Sequence, residues 1–202
     1  ILYEIKDPSL NGLLKPEKSD LYIDFEGYPF LTIGRNFEYL YGIWSNDEKN
    51  SFTYYWSDDE EEEKNSFVSF IEKLLEHLEL YPDAKFYHYF SYEISSLRKS
   101  ARIFGMYEEE LEQLIEKKCF VDLFTTVNSS LLIGASSYSL KTVEKLAGIN
   151  RTEDLQSGME SIQYFEDYFF NEEYELKDLI IEYNKADCKN LYLLHDWLAS
   201  LL

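Results

Sequence analysis

One short stretch of the chain, Leu21-Tyr22-Ile23-Asp24-Phe25-Glu26-Gly27-Tyr28-Pro29, places two carboxylates in an otherwise apolar β-strand pattern. Side chains two residues apart on a strand point to the same side, so Asp24 and Glu26 project together while Ile23 and Phe25 enter the core. Two neighbouring acids that lose water repel each other unless a cation lies between them. The stretch therefore predicts a cation site, with the solvated face of an edge strand as the alternative.

The 202-residue sequence contains no Pro/Gly/Ser-rich linker, which favours a single domain. We expect this domain over residues 20–202, preceded by an irregular, polar N-terminal segment at residues 1–19 that comes from a domain boundary. The two cysteines, Cys119 and Cys188, lack the spacing of zinc ligands and favour a reduced, cytoplasmic setting. No apolar run is long enough to cross a bilayer, so no membrane partner is expected.

The formal net charge of −20 argues against tight nucleic-acid binding by this domain alone, because proteins that bind the phosphate backbone usually present a basic surface. Six of the acids lie in one run, Asp58 to Glu63. Such a run is typical of the solvated first turn of a helix, where acids interact favourably with the helix dipole. It carries little information about function.

Hydrophobic periodicity predicts five strands, at residues 20–27, 37–44, 51–56, 85–89 and 119–124. Helices are predicted near residues 67–78, 91–103, 108–117, 138–148, 158–170 and 176–202, and the chain after residue 124 reads as helical to its end. Short connections make the first three strands antiparallel. The order predicts an α/β fold with a mixed five-stranded sheet flanked by helices, and the sequence lacks the Gly-rich loop of a dinucleotide fold.

Three further acids are candidates to join the pair on the first strand. Tyr183 and Asp187 are four residues apart on the last helix and share a face that is otherwise apolar, although Asp187 alone also fits an ordinary surface position. Glu93 stands in the first turn of a helix, where an acid also serves as a cap. Asp122 follows the predicted fifth strand.

Together these residues resemble motifs I, II and III of the DEDD, or DnaQ-like, 3′–5′ exonucleases of the ribonuclease H-like fold. The tyrosine of the third motif is similar to that of the DEDDy branch. The resemblance runs from about Asp20 to Leu202 and is closest to ribonuclease H-like domains fused to RecB-type nuclease or helicase modules. The blocks that carry it are Asp24–Pro29, Glu38–Gly42, Tyr87–Glu93, Val121–Phe124, Ser137–Lys141, Ser157–Met159 and Tyr183–Cys188.

This resemblance implies hydrolysis of phosphodiester bonds with two Mg²⁺ or Mn²⁺ ions, which prefer oxygen ligands. Asp24, Glu26 and Asp187 would hold the first ion, with Asp24 bridging and Glu93 assisting at the second, while Tyr183 would orient the attacking water. The broader superfamily has Asp in motif II where this chain has Glu93. Asp122 is the lower-ranked candidate for the fourth acid, and His88 is assigned no role.

The implied substrate is the 3′ end of single-stranded nucleic acid, and the implied partners are additional nuclease or helicase domains of the same polypeptide. Two groups of basic residues are expected to border the mouth of the site. They are Arg98, Lys99 and Arg102 on the helix after motif II, and Lys185 and Lys189 beside Asp187. The alternative is that these five cations only make the surfaces of two helices polar and bind no nucleic acid.

Two other functions remain open at this point. A catalytically silent domain of the same fold would position nucleic acid or partner domains, and the net charge of −20 favours it. The complete set of acids and Tyr183 favour the nuclease, because a silent domain has no reason to keep like charges converging in its core. An acidic protein-interaction module, with the acids on separate surfaces, is the third possibility.

Overall fold

A central five-stranded sheet organises the computed structural model, which describes residues 2–32, 34–47, 49, 51–151 and 157–202. The strands are β1 (Tyr3–Ile5), β2 (Leu21–Tyr28), β3 (Phe37–Ser45), β4 (Phe52–Trp56), β5 (Phe86–His88), β6 (Phe120–Asp122) and β7 (Leu131–Ile133). The helices are α1 (Glu60–Leu80), α2 (Tyr92–Phe104), α3 (Glu108–Glu116), α4 (Leu123–Ser130), α5 (Leu140–Leu146), α6 (Gly158–Asn171) and α7 (Leu176–Ala199).

The central sheet has the strand order β4-β3-β2-β5-β6. Strand β2 pairs antiparallel with β3, and β3 pairs antiparallel with β4, whereas β2–β5 and β5–β6 are parallel. The predicted mixed sheet with three antiparallel strands first is therefore confirmed. Over the described ranges, none of the helices combines the length and apolarity that crossing a membrane requires.

The alternation of β2 separates its side chains onto two faces of the sheet. Ile23 and Phe25 pack against Phe67 and Phe70 of α1, in a cluster that also takes in α2 and α3. Tyr22 faces the opposite side and packs in a cluster with residues of α4, α5 and α7. Asp24 and Glu26, two and four residues after Tyr22, consequently face helix α7.

A β-bulge lies beside the two acids of β2. Glu26 is opposite Leu40 and Gly27 is opposite Glu38, so Tyr39 has no partner across the ladder. Tyr39 and Leu40 therefore both pack in the cluster formed with α6 and α7, where regular alternation would separate them. The Tyr39 ring stacks on Phe165 of α6 at a centroid separation of 4.0 Å, which fixes α6 over the end of β2.

Two expectations about regular structure were wrong. Residues 3–5 of the N-terminal segment form β1, which pairs antiparallel with β7, and Leu10 is fully buried; Ile1 lies outside the described residues. The chain after residue 124 is likewise not helical throughout, because β7 interrupts it. Each strand has three residues, and each gains its hydrogen bonds from a segment far away in sequence, so local periodicity carries no signal for either.

The predicted fifth strand is shorter than expected. It ends at Asp122, whose Oδ1 accepts a hydrogen bond from the Phe124 backbone N–H at 2.9 Å and caps helix α4. Oδ2 of the same side chain accepts from the Thr125 hydroxyl at 2.8 Å. An aspartate at the N-cap satisfies backbone donors that otherwise lack a partner, which is why the helix starts directly after the strand.

Candidate active site

Three carboxylates converge between the sheet and the last helix. Asp24 and Glu26 come from β2, and Asp187 comes from α7. One oxygen from each side chain lies within 4.8 Å of the other two, and Glu26 and Asp187 are buried. The predicted convergence of these three acids is therefore present, and an arrangement on separate surfaces is excluded.

Asn184 holds Asp24 in this arrangement. Its Nδ2 donates to the backbone oxygen of Asp24 at 3.1 Å and to the carboxylate Oδ2 at 2.8 Å. Asn184 approaches the sheet over Gly42, which is opposite Asp24 in the β2–β3 ladder. A side chain at Gly42 would overlap the Asn184 amide and meet the sulfur of Cys188 at 3.0 Å, so glycine permits the close contact of α7 with the sheet.

A buried arginine contacts the third acid. One Arg151 nitrogen, Nη2, forms a salt bridge with Asp187 Oδ1 and donates to Glu144 Oε1 at 2.6 Å, while Nε donates to Glu144 Oε2 at 2.7 Å. Glu144 also accepts from Asn190 Nδ2 of α7 at 3.2 Å. Helix α5 thus fixes the guanidinium against the acidic cluster through a bidentate carboxylate contact.

The acids are held away from water and close to one another. Burial, and next the charge of Asp187, raise the pKa of Glu26 to about 8, although a hydrogen bond from Ser161 opposes the shift. Burial and the charges of Asp187 and Glu26 also raise the pKa of Asp24. Burial raises the pKa of Asp187, and the charge of Arg151 opposes that rise. A bound cation would relieve these costs.

Tyr183 lies one helical turn before Asp187 and is buried beside it. Lys141 Nζ donates to the Tyr183 hydroxyl at 3.2 Å and lies 5.0 Å from the centre of its ring. Burial, followed by the charges of Asp187 and Glu26, raises the pKa of Tyr183 above its ordinary value. The phenol therefore stays protonated at neutral pH and serves as a hydrogen-bonding group.

A family model described as RNase_H superfamily (RNase_H_2) matches residues 21–199, a span that contains all of these side chains. The chain belongs to the RNase H superfamily. No curated protein and no solved structure matches it. The mixed sheet with helices on both faces agrees with the RNase H-like fold, and the acidic cluster occupies the span that defines the family.

Within this RNase H-like domain, Glu93 is buried at the start of α2, outside the set of three acids that share one centre. Its Oε2 lies 3.5 Å from His88 Nδ1, which also contacts the Phe90 carbonyl at 2.6 Å. Burial raises the pKa of Glu93, and the charge of Glu93 in turn contributes to the raised pKa of Asp24. Both oxygens of Asp122 accept hydrogen bonds, Oδ1 from the backbone N–H groups of Phe90 and Phe124 and Oδ2 from the Thr125 hydroxyl.

The five predicted basic residues lie outside the centre of the RNase H-like site. Helices α2 and α7 pack on opposite faces of the sheet, and Arg98 is paired with Glu112 through two hydrogen bonds. Lys185 pairs with Glu182, and both Lys185 and Lys189 are two residues from Asp187, which directs them to the other side of α7. Lys99 and Arg102 lie on the exposed surface of α2. Their role in nucleic-acid binding stays a prediction.

The donor set fits a hard divalent cation, and RNase H-like folds use divalent metals. The three clustered side chains offer only carboxylate oxygens, and Asp187 Oδ1 is buried with Arg151 as its salt-bridge partner. Residues that sequence reasoning missed support this centre: Asn184, Arg151, Glu144, Lys141 and His88. Only Asn184 has a usable signal, since it shares the helix face of Asp187 at a spacing of three.

Proposed function

We propose that this RNase H superfamily domain is a metal-dependent nuclease, and specifically a 3′–5′ exonuclease of the DEDDy type acting on single-stranded nucleic acid. The observation that carries the proposal is the convergence of Asp24, Glu26 and Asp187 within 4.8 Å, next to the buried Tyr183 hydroxyl. Like charges brought together away from water are costly and are typical of sites that bind cations.

Asp24, Glu26 and Asp187 would hold Mg²⁺ or Mn²⁺, and Glu93 would assist at a second ion from the start of α2. Divalent ions at such a site lower the pKa of bound water and stabilise the charge that develops on the attacking and leaving oxygens of a phosphodiester. Asn184 keeps the Asp24 carboxylate oriented through its hydrogen bond, so that the acids are held in place before an ion or substrate arrives.

Tyr183 acts as a positioning residue in this proposal. Its protonated phenol accepts a hydrogen bond from Lys141 and is therefore free to donate its own proton toward a water or a phosphate oxygen. Because its pKa is raised, Tyr183 does not act as the base. Lys141 supplies a positive charge next to the phenol, which favours an approaching anion.

One observation favours a second candidate, a catalytically silent domain of the same fold. Arg151 already neutralises part of the acidic cluster through its salt bridge to Asp187, so the carboxylates have a counter-charge within the protein. The net charge of −20 acts in the same direction, because it weakens binding of nucleic acid. Such a domain would position a strand or a neighbouring nuclease or helicase domain without cleaving.

The partners and location are part of the proposal. Additional nuclease or helicase domains in the same polypeptide would supply the basic surface that this acidic domain lacks. The two cysteines, Cys119 and Cys188, are free and buried, which supports a reducing, cytoplasmic location.

The direct test is degradation of a labelled single-stranded oligonucleotide in Mn²⁺ or Mg²⁺. A 5′-labelled strand should yield a ladder that shortens with time, while a circular single strand should stay intact. Tyr183→Phe should lower kcat at least tenfold, and Asp24→Asn should abolish cleavage. Tyr174→Phe, at an exposed position on the loop before α7, is the matched control and should keep wild-type activity. Wild-type protein that binds metal but leaves every strand intact would favour the silent domain.

A further inference from the structure

A cavity of about 360 Å³ opens beside the acidic cluster. Its walls come from α5 and the residues that follow that helix: Lys141, Glu144, Lys145, Ile149, Asn150 and Arg151. Two of these residues reach the candidate active site directly, since Lys141 contacts the Tyr183 hydroxyl and Arg151 contacts Asp187. The cavity and the acids are therefore adjoining parts of one region.

The charge of this cavity is opposite to that of the protein as a whole. Lys141 and Lys145 supply two positive charges in excess of the ion pair between Arg151 and Glu144, which is the one acid of the lining. Glu144 is almost fully buried and is bound at both oxygens by Arg151, so it faces the guanidinium. In a chain with a net charge of −20, a local excess of cations indicates an anionic ligand.

The guanidinium of Arg151 has donor capacity left over. Its side chain is only 8 % exposed. Nε and Nη2 are engaged by Glu144 and Asp187, whereas Nη1 is buried and has no hydrogen-bond partner within the described residues. A buried donor without a partner costs free energy, and a planar guanidinium is well suited to phosphate oxygens. The guanidinium beside the cavity thus keeps hydrogen-bonding capacity beyond its two carboxylate partners.

We propose that this cavity is a phosphate-binding subsite that receives the backbone of a nucleic-acid strand next to the acids. Lys145 gives it an exposed charge at the entrance, and the Arg151 side chain forms part of its wall. The identity of the ligand rests on the proposed nuclease function, whereas the preference for an anion does not. The subsite accounts for how an acidic domain holds a polyanion, because attraction is concentrated where the scissile bond would lie.

The test is binding of a fluorescein-labelled oligothymidylate by fluorescence anisotropy, in EDTA to prevent cleavage and over a range of salt concentrations. Lys145→Gln is the informative variant, since Lys145 is exposed and has no ion pair among the described residues. We expect it to weaken binding about three- to tenfold and to reduce the log–log salt slope by about 0.7, the value for one lost single-strand phosphate contact. Lys64→Gln, an exposed lysine on α1, is the matched control and should do neither.

The outcomes separate the subsite from the nuclease. Equal effects of Lys145→Gln and Lys64→Gln, or no binding by the wild type, would overturn the subsite. An effect of Lys145→Gln that persists with an uncharged methylphosphonate oligothymidylate would overturn the phosphate contact as well. Strand cleavage by the wild type is scored separately in Mn²⁺: cleavage without a Lys145 effect removes the subsite and keeps the nuclease, whereas a Lys145 effect without cleavage keeps the subsite and removes the nuclease.

Discussion

The guanidinium of Arg151 forms a salt bridge with the Asp187 carboxylate at the edge of the acidic cluster. Arg151 is fixed in that position by Glu144, and Asp187 by its place on α7 between Tyr183 and Asn190. The three carboxylates therefore differ in their surroundings: Asp187 has a cationic partner, whereas Asp24 has the amide of Asn184 as its partner. This difference leads to opposite expectations for two similar substitutions.

In EDTA at pH 8, Asp24→Asn should raise the free energy of unfolding by about 1–2 kcal/mol, because it removes a buried charge that Asp187 and Glu26 repel. The new side chain keeps an acceptor for Asn184. Asp187→Asn should instead lower the free energy of unfolding by about 1–3 kcal/mol, since it removes a partner of buried Arg151. Urea unfolding measures both, and changes of the same sign would contradict this account of the cluster.

Millimolar Mn²⁺ or Mg²⁺ should raise the thermal midpoint of the wild type by several degrees. A ligand that binds only the folded state stabilises it, and here the ion also relieves repulsion among Asp24, Glu26 and Asp187. Scanning fluorimetry with and without metal provides the measurement. Asp24→Asn should lose most of the shift. Lys64→Gln, on helix α1 at the opposite face of the sheet, should keep the metal-dependent shift. An unchanged wild-type midpoint would count against a working metal site.

Gly42→Ala should reduce activity more than its effect on stability explains. The added methyl group would overlap the Asn184 amide, which must then move away from Asp24. We expect a loss of about 1–3 kcal/mol in unfolding free energy, typical of overpacking, together with a decrease in kcat of at least tenfold at a temperature where the variant is folded. Gly158→Ala is the control, because a methyl group there meets nothing within 4 Å. Equal activity in both variants would exclude a positioning role for Asn184.

His195 should make the fold sensitive to acid. Its Nε2 donates to the Leu14 carbonyl at 2.8 Å, and its Nδ1 accepts from the Tyr22 hydroxyl at 3.0 Å, so the neutral ring satisfies both partners. Burial is the main cause that lowers the pKa of His195 to about 4 from an ordinary 6.5. The unfolded chain consequently takes up a proton at this position at higher pH than the folded one does.

The stabilising contribution of neutral His195 is complete above pH 6.5 and is lost as the pH falls toward 4, by up to about 3 kcal/mol. Urea unfolding of the wild type and of His195→Gln across pH 4–7 isolates this contribution as the pH-dependent part of their difference. Lys64→Gln leaves every histidine in place and should track the wild type over the whole range. If the difference in unfolding free energy between the wild type and His195→Gln did not change with pH, the ring would not titrate as described.

The central sheet and the core of the site can be predicted from the amino-acid pattern alone, because both rest on short-range periodicity. Alternation along β2 separates Ile23 and Phe25 from Asp24 and Glu26, and a spacing of four puts Tyr183 and Asp187 on one helix face. These patterns are local, so they can be read from one sequence before it is known how the chain packs. The family match over residues 21–199 agrees with that fold.

Long-range packing sets which groups surround the acids. Asn184 reaches Asp24 because Gly42 allows α7 to approach the sheet, and Arg151 reaches Asp187 because Glu144 of α5 fixes it there. Strands β1 and β7 form for the same reason, since each is completed by a segment distant in sequence. Contacts of this kind depend on how helices and strands pack together, and packing leaves no regular spacing in the sequence.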